Sequence, residues 1–238
     1  MRISDKAIVL QNIKLGDRKF LVKLYSREQG LLTLACTVGK AAGAKIKFSG
    51  IQSLNLIQAE MVVKQNKDVH QLHEAQCYYV YDKIPFNFSK LSIAQFVNEL
   101  LLKCLKEQQA NEHLFTFLET CLCYLNDEEQ NYINLHLYVL QELPKYLGFE
   151  PQNNYGGNNL YFDCREGSFT PHILAYPFGL NADESLLFSE FLKINCLQST
   201  LTSAQRSALI EFYMAYYKQH IPAFQDLKSL AVLKTVMS

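Results

Sequence analysis

The apolar pattern of this chain changes its period once, near Tyr81, and that change restricts it to two architectures joined in series. Before it, apolar residues alternate, as in Phe20, Val22 and Leu24, which places every second side chain on one face of a strand. After Ser89, Leu91, Phe96, Leu100, Leu101 and Leu105 recur at helical spacing. The fold class expected is α+β: a five-stranded barrel over residues 1–80, followed by an all-helical domain over 81–238.

Five strands are read in the first part: Lys6 to Ile13, Lys19 to Tyr25, Leu31 to Val38, Ser53 to Lys64 and Val69 to Tyr79. Gly16-Asp17-Arg18 supplies the first turn. Arg27-Glu28-Gln29-Gly30 supplies a second, tight one, with Gly30 where positive φ is needed. Gln65 to Asp68 separates the last two strands. The loop Lys40 to Lys47 carries three lysines and too few large apolar groups to pack, so a mobile segment is expected. Five short antiparallel strands without a long helix suit a small closed barrel of the OB-fold type, and an SH3-like barrel fits the same pattern.

In the second part helices are expected from Ser89 or Ser92 as N-cap, over about 111–125, and over about 129–147 with a kink at Pro144 and a stop at Gly148. Residues 149–180 are irregular, with only Leu160 to Asp163 resembling a strand. Helix resumes over about 183–193. Thr202-Ser203-Ala204-Gln205 is a capping box that opens another helix to about Gln219, and Leu227, Leu230 and Leu233 mark a last short one.

The overall balance of 23 basic against 23 acidic residues hides a division. The first eighty residues hold twelve Lys/Arg and six Asp/Glu, so the rest of the chain carries the compensating acidic excess. A basic barrel concentrates polyanions around itself, which makes nucleic acid the first partner to consider. Phe20, Tyr25, Phe48, Tyr78 and Tyr79 are the aromatics available for stacking on bases, Phe20 being more readily a core residue. A protein-interaction adaptor, its barrel docking on an acidic protein without direct DNA function, is the alternative.

The chemical inventory gives no reason to expect an enzyme. Walker A, Gly-x-Ser-x-Gly and His-Glu-x-x-His patterns are absent, and a hydrolase built on the 149–180 loop has no nucleophile or acid/base set behind it. His70 and His73 fall on opposite faces of a strand, and Cys121 and Cys123 do not face each other on a helix, so neither pair is expected to bind metal. Seven cysteines, an odd number without a Cys-x-x-Cys pair, read as reduced thiols. No apolar run is long enough for a membrane span, and charge at Arg2, Asp5 and Lys6 precedes any signal-type block, so no membrane and a cytoplasmic setting are expected.

Lys6-Ala7-Ile8-Val9-Leu10, Gly16-Asp17-Arg18 to Tyr25, Ser26-Arg27-Glu28-Gln29-Gly30-Leu31 and Gly39-Lys40, in that order and spacing, resemble the N-terminal OB-fold of the bacterial recombination mediator family RecO. The resemblance runs on through Gln58-Ala59-Glu60, Leu147-Gly148-Phe149 and Leu227-Lys228-Ser229-Leu230, so it covers nearly the whole chain. It implies a non-enzymatic, nucleoid-associated DNA repair protein that binds single- and double-stranded DNA and anneals complementary strands. It also implies work with RecR to help RecA load onto DNA coated by the single-stranded-DNA-binding protein, whose acidic C-terminal tail docks on the helical domain.

By the same resemblance the DNA-binding residues expected are Lys40, Lys45 and Lys47 of the basic loop and Arg27 of the turn, followed by Arg18, Lys19 and Lys23 on or beside a strand. Many members of the family carry a four-cysteine zinc site after the third long helix. Here only Cys164 remains there, and His172 and Cys196 do not restore paired ligand spacing. No cofactor and no metal site are therefore expected, with packing around Phe162, Phe169 and Phe178 holding that segment.

Overall fold

The computed structural model describes residues 2–64, 66–105 and 109–237, which divide into two compact units. The first unit takes residues 1–87 together with 98–127, and the second takes 88–97 and 128–238.

In the first unit the strands are β1 (Arg2–Lys14), β2 (Lys19–Ser26), β3 (Gly30–Thr37), β4 (Leu56–Val62) and β5 (His70–Tyr79). They close in the order β1-β2-β3-β5-β4, with β3 and β5 parallel and the other neighbours antiparallel. This is the OB-fold order, so that barrel, rather than the SH3-like one, is formed. Gly30 turns the β2–β3 hairpin at φ 71°, a conformation that only glycine adopts without a Cβ penalty. Asp5 holds the same turn, accepting from the Ser26 hydroxyl and, at 2.8 Å, from the Glu28 amide.

The barrel interior is filled by Ala7, Val9, Phe20, Val22, Leu24, Leu32, Leu34 and their neighbours. On β1 the alternate residues Ile8 and Leu10 are also buried, so this wall packs on both faces. Helix α1 (Phe88–Cys104) runs through both units, and α2 (Glu112–Asn126) packs with the barrel. Asn111 caps α2 by accepting from the Leu114 amide at 3.0 Å, while its own carbonyl receives the Tyr25 hydroxyl at 3.3 Å. At the other end Asn126 accepts from the amides of Lys83 and Ile84 at 3.0 and 3.2 Å.

The second unit contains α3 (Leu135–Leu147), the hairpin β6 (Tyr161–Asp163) and β7 (Ser168–Thr170), α4 (Ala182–Phe191), α5 (Ser203–His220) and α6 (Ser229–Met237). Helix α3 starts at Leu135, six residues after the position the sequence pattern suggests. Asn134 occupies its N-terminal boundary and spends its amide on the Cys196 and Ser199 carbonyls at 2.8 and 2.9 Å, which fixes a non-helical turn there. Gly148 ends α3 in the left-handed conformation at φ 82°. The capping box of Thr202 with Gln205 forms as expected, and Asn181 with Glu184 makes a second one on α4.

Candidate nucleic-acid interface

Along β2, Phe20, Val22 and Leu24 point into the barrel, so Lys19, Leu21 and Lys23 stand on its outer face. Register continues that face across the sheet: Lys23 lies between Gln11 and Thr33, Leu21 between Ile13 and Ala35, and Lys19 beside Thr37. Arg18 adjoins the end of this face. Its Nε donates to the Val38 carbonyl at 2.9 Å, and Val38 returns a bond from its amide to the Arg18 carbonyl at 2.9 Å.

The Lys40–Lys47 loop is a tethered strap. The Gly39 amide donates to the Ile46 carbonyl at 2.8 Å, closing the strap on itself, and Ala44 turns back on Ala41 at 3.0 Å. Contrary to the expectation that nothing here could pack, Ile46 is buried in the barrel core. A local Lys-Ile-Lys alternation explains this: with Ile46 bridged to Ala75 of β5 and pointing inward, Lys45 and Lys47 both point out and are exposed. Lys40 is exposed at the far side of the Ala41–Ala44 turn.

Two grooves flank the strap. One, of about 540 Å³, is lined by Lys19, Leu15, Thr37, Gln71, His73 and Lys45. The other, of about 670 Å³, is lined by Lys45, Lys47, Asn55, Gln76, Tyr79 and Tyr81. Lys19, Lys45 and Lys47 are thus brought together with side chains suited to phosphates and bases. Gln71, His73, Asn55 and Gln76 were not singled out from sequence, although the strand alternation that buries His70 and Leu72 already turns Gln71 and His73 outward. His70 is buried and accepts from the Lys64 amide at 3.3 Å, while His73 is exposed, which separates the pair as the strand period requires.

Charge pairing divides the basic residues. Lys14, Lys19, Lys23, Lys40, Lys47, Lys64 and Lys67 have no carboxylate partner among the described residues. Lys45 lies 3.3 Å from Glu74. Arg27 is placed elsewhere: eight residues from Lys19 along β2, roughly 26 Å at strand rise, it pairs with Glu112 of α2. The hydrogen bond raises the Arg27 guanidinium pKa and holds the Glu112 carboxyl below its ordinary value.

The aromatics divide as well. Phe20 and Tyr25 are buried, Tyr25 at 2% exposure, and so present no face to a base. Tyr78 donates its hydroxyl to Glu119 at 2.5 Å and lies under the Lys6 ammonium, 4.5 Å from the ring centre. Phe48 stays half exposed beside Phe20, and Tyr79 stacks edge-on with Tyr81 at 5.5 Å. Cys36, lining the first groove, is pushed up to about 11 by burial and is not a nucleophile there.

In the second unit Phe162 and Phe169 are buried as expected, but Phe178 is 44% exposed, with the Arg165 guanidinium over its ring at 5.5 Å. Phe188 and Tyr216 take its place against Phe162, at 4.7 and 5.7 Å. Cys164 is buried and its thiol pushed up to about 12 by desolvation, the reverse of what a metal thiolate needs. His220 spends Nε2 on the Cys164 carbonyl at 2.9 Å. Among the described residues no three His, Cys, Asp or Glu side chains are grouped to hold a metal ion. No helix among them is long and apolar enough to cross a membrane.

A closed OB barrel followed by a helical region defines the class: an OB-fold protein with a helical C-terminal part. Family models agree with both parts, "Recombination protein O N terminal" matching residues 1–81 and "Recombination protein O C terminal" matching 85–231. The chain is similar over its full length to a DNA repair protein RecO of Flavobacterium psychrophilum, 32% identical with 100% of each chain covered. It is 30% identical to the RecO of Flavobacterium johnsoniae, again with 100% of each covered, and 29% identical to that of Porphyromonas gingivalis with 99% of each covered. The chain belongs to the RecO family of DNA repair proteins.

Proposed function

We propose that this protein is a non-enzymatic recombination mediator whose barrel binds single- and double-stranded DNA through the strap and the outer face of β2. The observation that carries the reading is the convergence of Lys19, Lys45 and Lys47 on two grooves, with Lys19 and Lys47 free of carboxylate partners. Ammonium groups of this kind exchange bound counterions for phosphates, which gives affinity without sequence preference. Lys23, Arg18 and Lys40 extend the positive surface around them. Arg27, already engaged by Glu112, contributes little.

Membership in the RecO family extends the proposal. The protein anneals complementary strands and acts with RecR to help RecA onto DNA covered by the single-stranded-DNA-binding protein. The helical region receives the acidic tail of that protein. Such work sits in the bacterial cytoplasm at the nucleoid and needs no cofactor. The 149–180 segment needs no zinc, because Phe162 packs against Phe169, Phe188 and Tyr216 and Cys164 is itself buried.

Fluorescence anisotropy of labelled single-stranded and duplex DNA at several salt concentrations tests the reading. The wild type is expected to bind with a steep salt dependence. Simultaneous Lys19→Ala, Lys45→Ala and Lys47→Ala should flatten the slope by about 0.7 for each unpaired ammonium removed, roughly 1.4 from Lys19 and Lys47, with Lys45 adding less because Glu74 already pairs it. Absence of binding at low salt, or a triple variant indistinguishable from wild type, would remove the barrel from DNA binding.

A further inference from the structure

We propose that the two grooves on either side of the strap hold two separate DNA strands, with Lys45 as the cation between them. This rests on the reading that the barrel binds DNA, and it assigns each groove its own strand.

Each groove has the parts a nucleotide needs without borrowing from the other. The first has the unpaired Lys19 ammonium for phosphate, Gln71 and His73 as hydrogen-bonding groups, and Leu15 as an apolar surface. The second has the unpaired Lys47 ammonium, Asn55 and Gln76, and the Tyr79–Tyr81 pair as an aromatic wall. Both volumes fall in the range of small-ligand sites, roughly 300–1,000 Å³. A nucleotide or two fits in either.

The wall between them is fixed. Ile46 is buried in the barrel core, the Lys45 carbonyl accepts from the Ala75 amide at 3.0 Å, and Gly39 closes the strap on Ile46. A strand in one groove therefore cannot slide sideways into the other without unseating Ile46. Lys45 lines both grooves, and at rest its ammonium lies 3.3 Å from Glu74, whose other oxygen accepts from Gln76 at 2.5 Å. Two phosphate chains lying side by side repel, and a cation between them offsets that repulsion at short range, where salt screens it least. The arrangement sets two strands next to each other with their backbones sharing one lysine.

The experiment uses the full chain and the oligonucleotide dT6 at low salt, with stoichiometry read by calorimetry. Two variant pairs leave Lys45 in place: Lys19→Ala with His73→Ala in the first groove, and Lys47→Ala with Gln76→Ala in the second. All four residues are exposed, so the variants are expected to fold. Wild type should bind two dT6 per chain and each variant pair one. Either pair should slow annealing of complementary strands about tenfold or more, the cost of losing one phosphate-and-base site. The exposed Cys77 lines the second groove and reports position: the strand kept by the Lys19/His73 variant should shield it from maleimide, and the strand kept by the Lys47/Gln76 variant should not. One dT6 per wild-type chain, or two variant pairs that each keep the wild-type dT6 stoichiometry and shield Cys77 alike, would overturn the two-strand arrangement and leave DNA binding standing. A wild type that binds no dT6 and no longer strand would instead overturn the proposed function.

Discussion

Glu112, the first residue of α2, accepts a hydrogen bond from Arg27 Nε at 3.0 Å and engages Nη2 of the same guanidinium. This pairing joins the turn between β2 and β3 to a helix 85 residues further along the chain. It belongs to a set: Lys6 lies 3.2 Å from Glu119, which also receives the Tyr78 hydroxyl. The acidic side of α2 therefore occupies cations and an aromatic ring at one end of the barrel, while Lys19, Lys45 and Lys47 are left to the other.

From this follows an asymmetry between two basic residues of one strand region. Arg27→Ala is expected to leave the affinity for single-stranded DNA within about twofold and its salt slope unchanged, because a cation already paired releases few counterions. Lys19→Ala should lower the slope by about 0.7. Anisotropy titrations of both variants decide it, and a slope that falls equally for Arg27→Ala would put DNA at the α2 end as well.

The strap imposes a demand on Gly39. A Cβ built there would come within 2.3 Å of the Ala44 Cβ, a clash that neither short side chain can relieve by rotating. Gly39→Ala is expected to cost about 1–3 kcal/mol in urea unfolding, as over-packing does, and to weaken DNA binding together with it. Gly43→Ala, where no atom lies within 4 Å, serves as the control with little change in either. Equal effects at the two positions would mean that the strap is not held by its Gly39–Ile46 closure.

These contrasts also explain what the sequence made legible. The strand period of β2, the positive-φ Gly30, the Asn111 boundary of α2 and the Thr202–Gln205 capping box are written in residues a few positions apart, and each appears where the pattern places it. Pairings across long separations are not written that way. Nothing local to Arg27 reveals Glu112, and nothing local to Phe178 reveals that Tyr216 and Phe188 fill the space beside Phe162. Ile46 lies between these cases: its Lys-Ile-Lys alternation is local, but its burial depends on β5 passing beneath the strap.

The aromatic packing around Phe162 and the burial of Cys164 lead to a clear expectation for metal dependence. Treatment with EDTA should leave the thermal midpoint unchanged, whereas Cys164→Ser should destabilise the protein by about 1–3 kcal/mol by placing a hydroxyl in an apolar site. A structural zinc site would reverse the first result, since removing its metal removes folding energy. Differential scanning calorimetry with and without the chelator, followed by metal analysis of the dialysed protein, separates the two.

His136 is expected to add a pH-dependent component to the stability of the second unit. The imidazole is fully buried in α3 beside the edge of Phe96, and desolvation, aided by the charge of Arg206, lowers its pKa from 6.5 to about 3, with the Ile133 carbonyl opposing. Between those two values the unfolded chain binds a proton that the folded chain refuses, so this contribution to stability falls as pH drops below about 6.5. The limiting slope for one proton is about 1.4 kcal/mol per pH unit. His136→Leu carries no proton in either state, and its urea-unfolding free energy should lack this component. Subtracting the variant's pH profile from the wild type's between pH 7.5 and 5 isolates it from the carboxylates common to both. A difference that rises with pH up to about 6.5 and then levels off is expected, and parallel profiles would mean that water reaches the His136 ring in the folded protein.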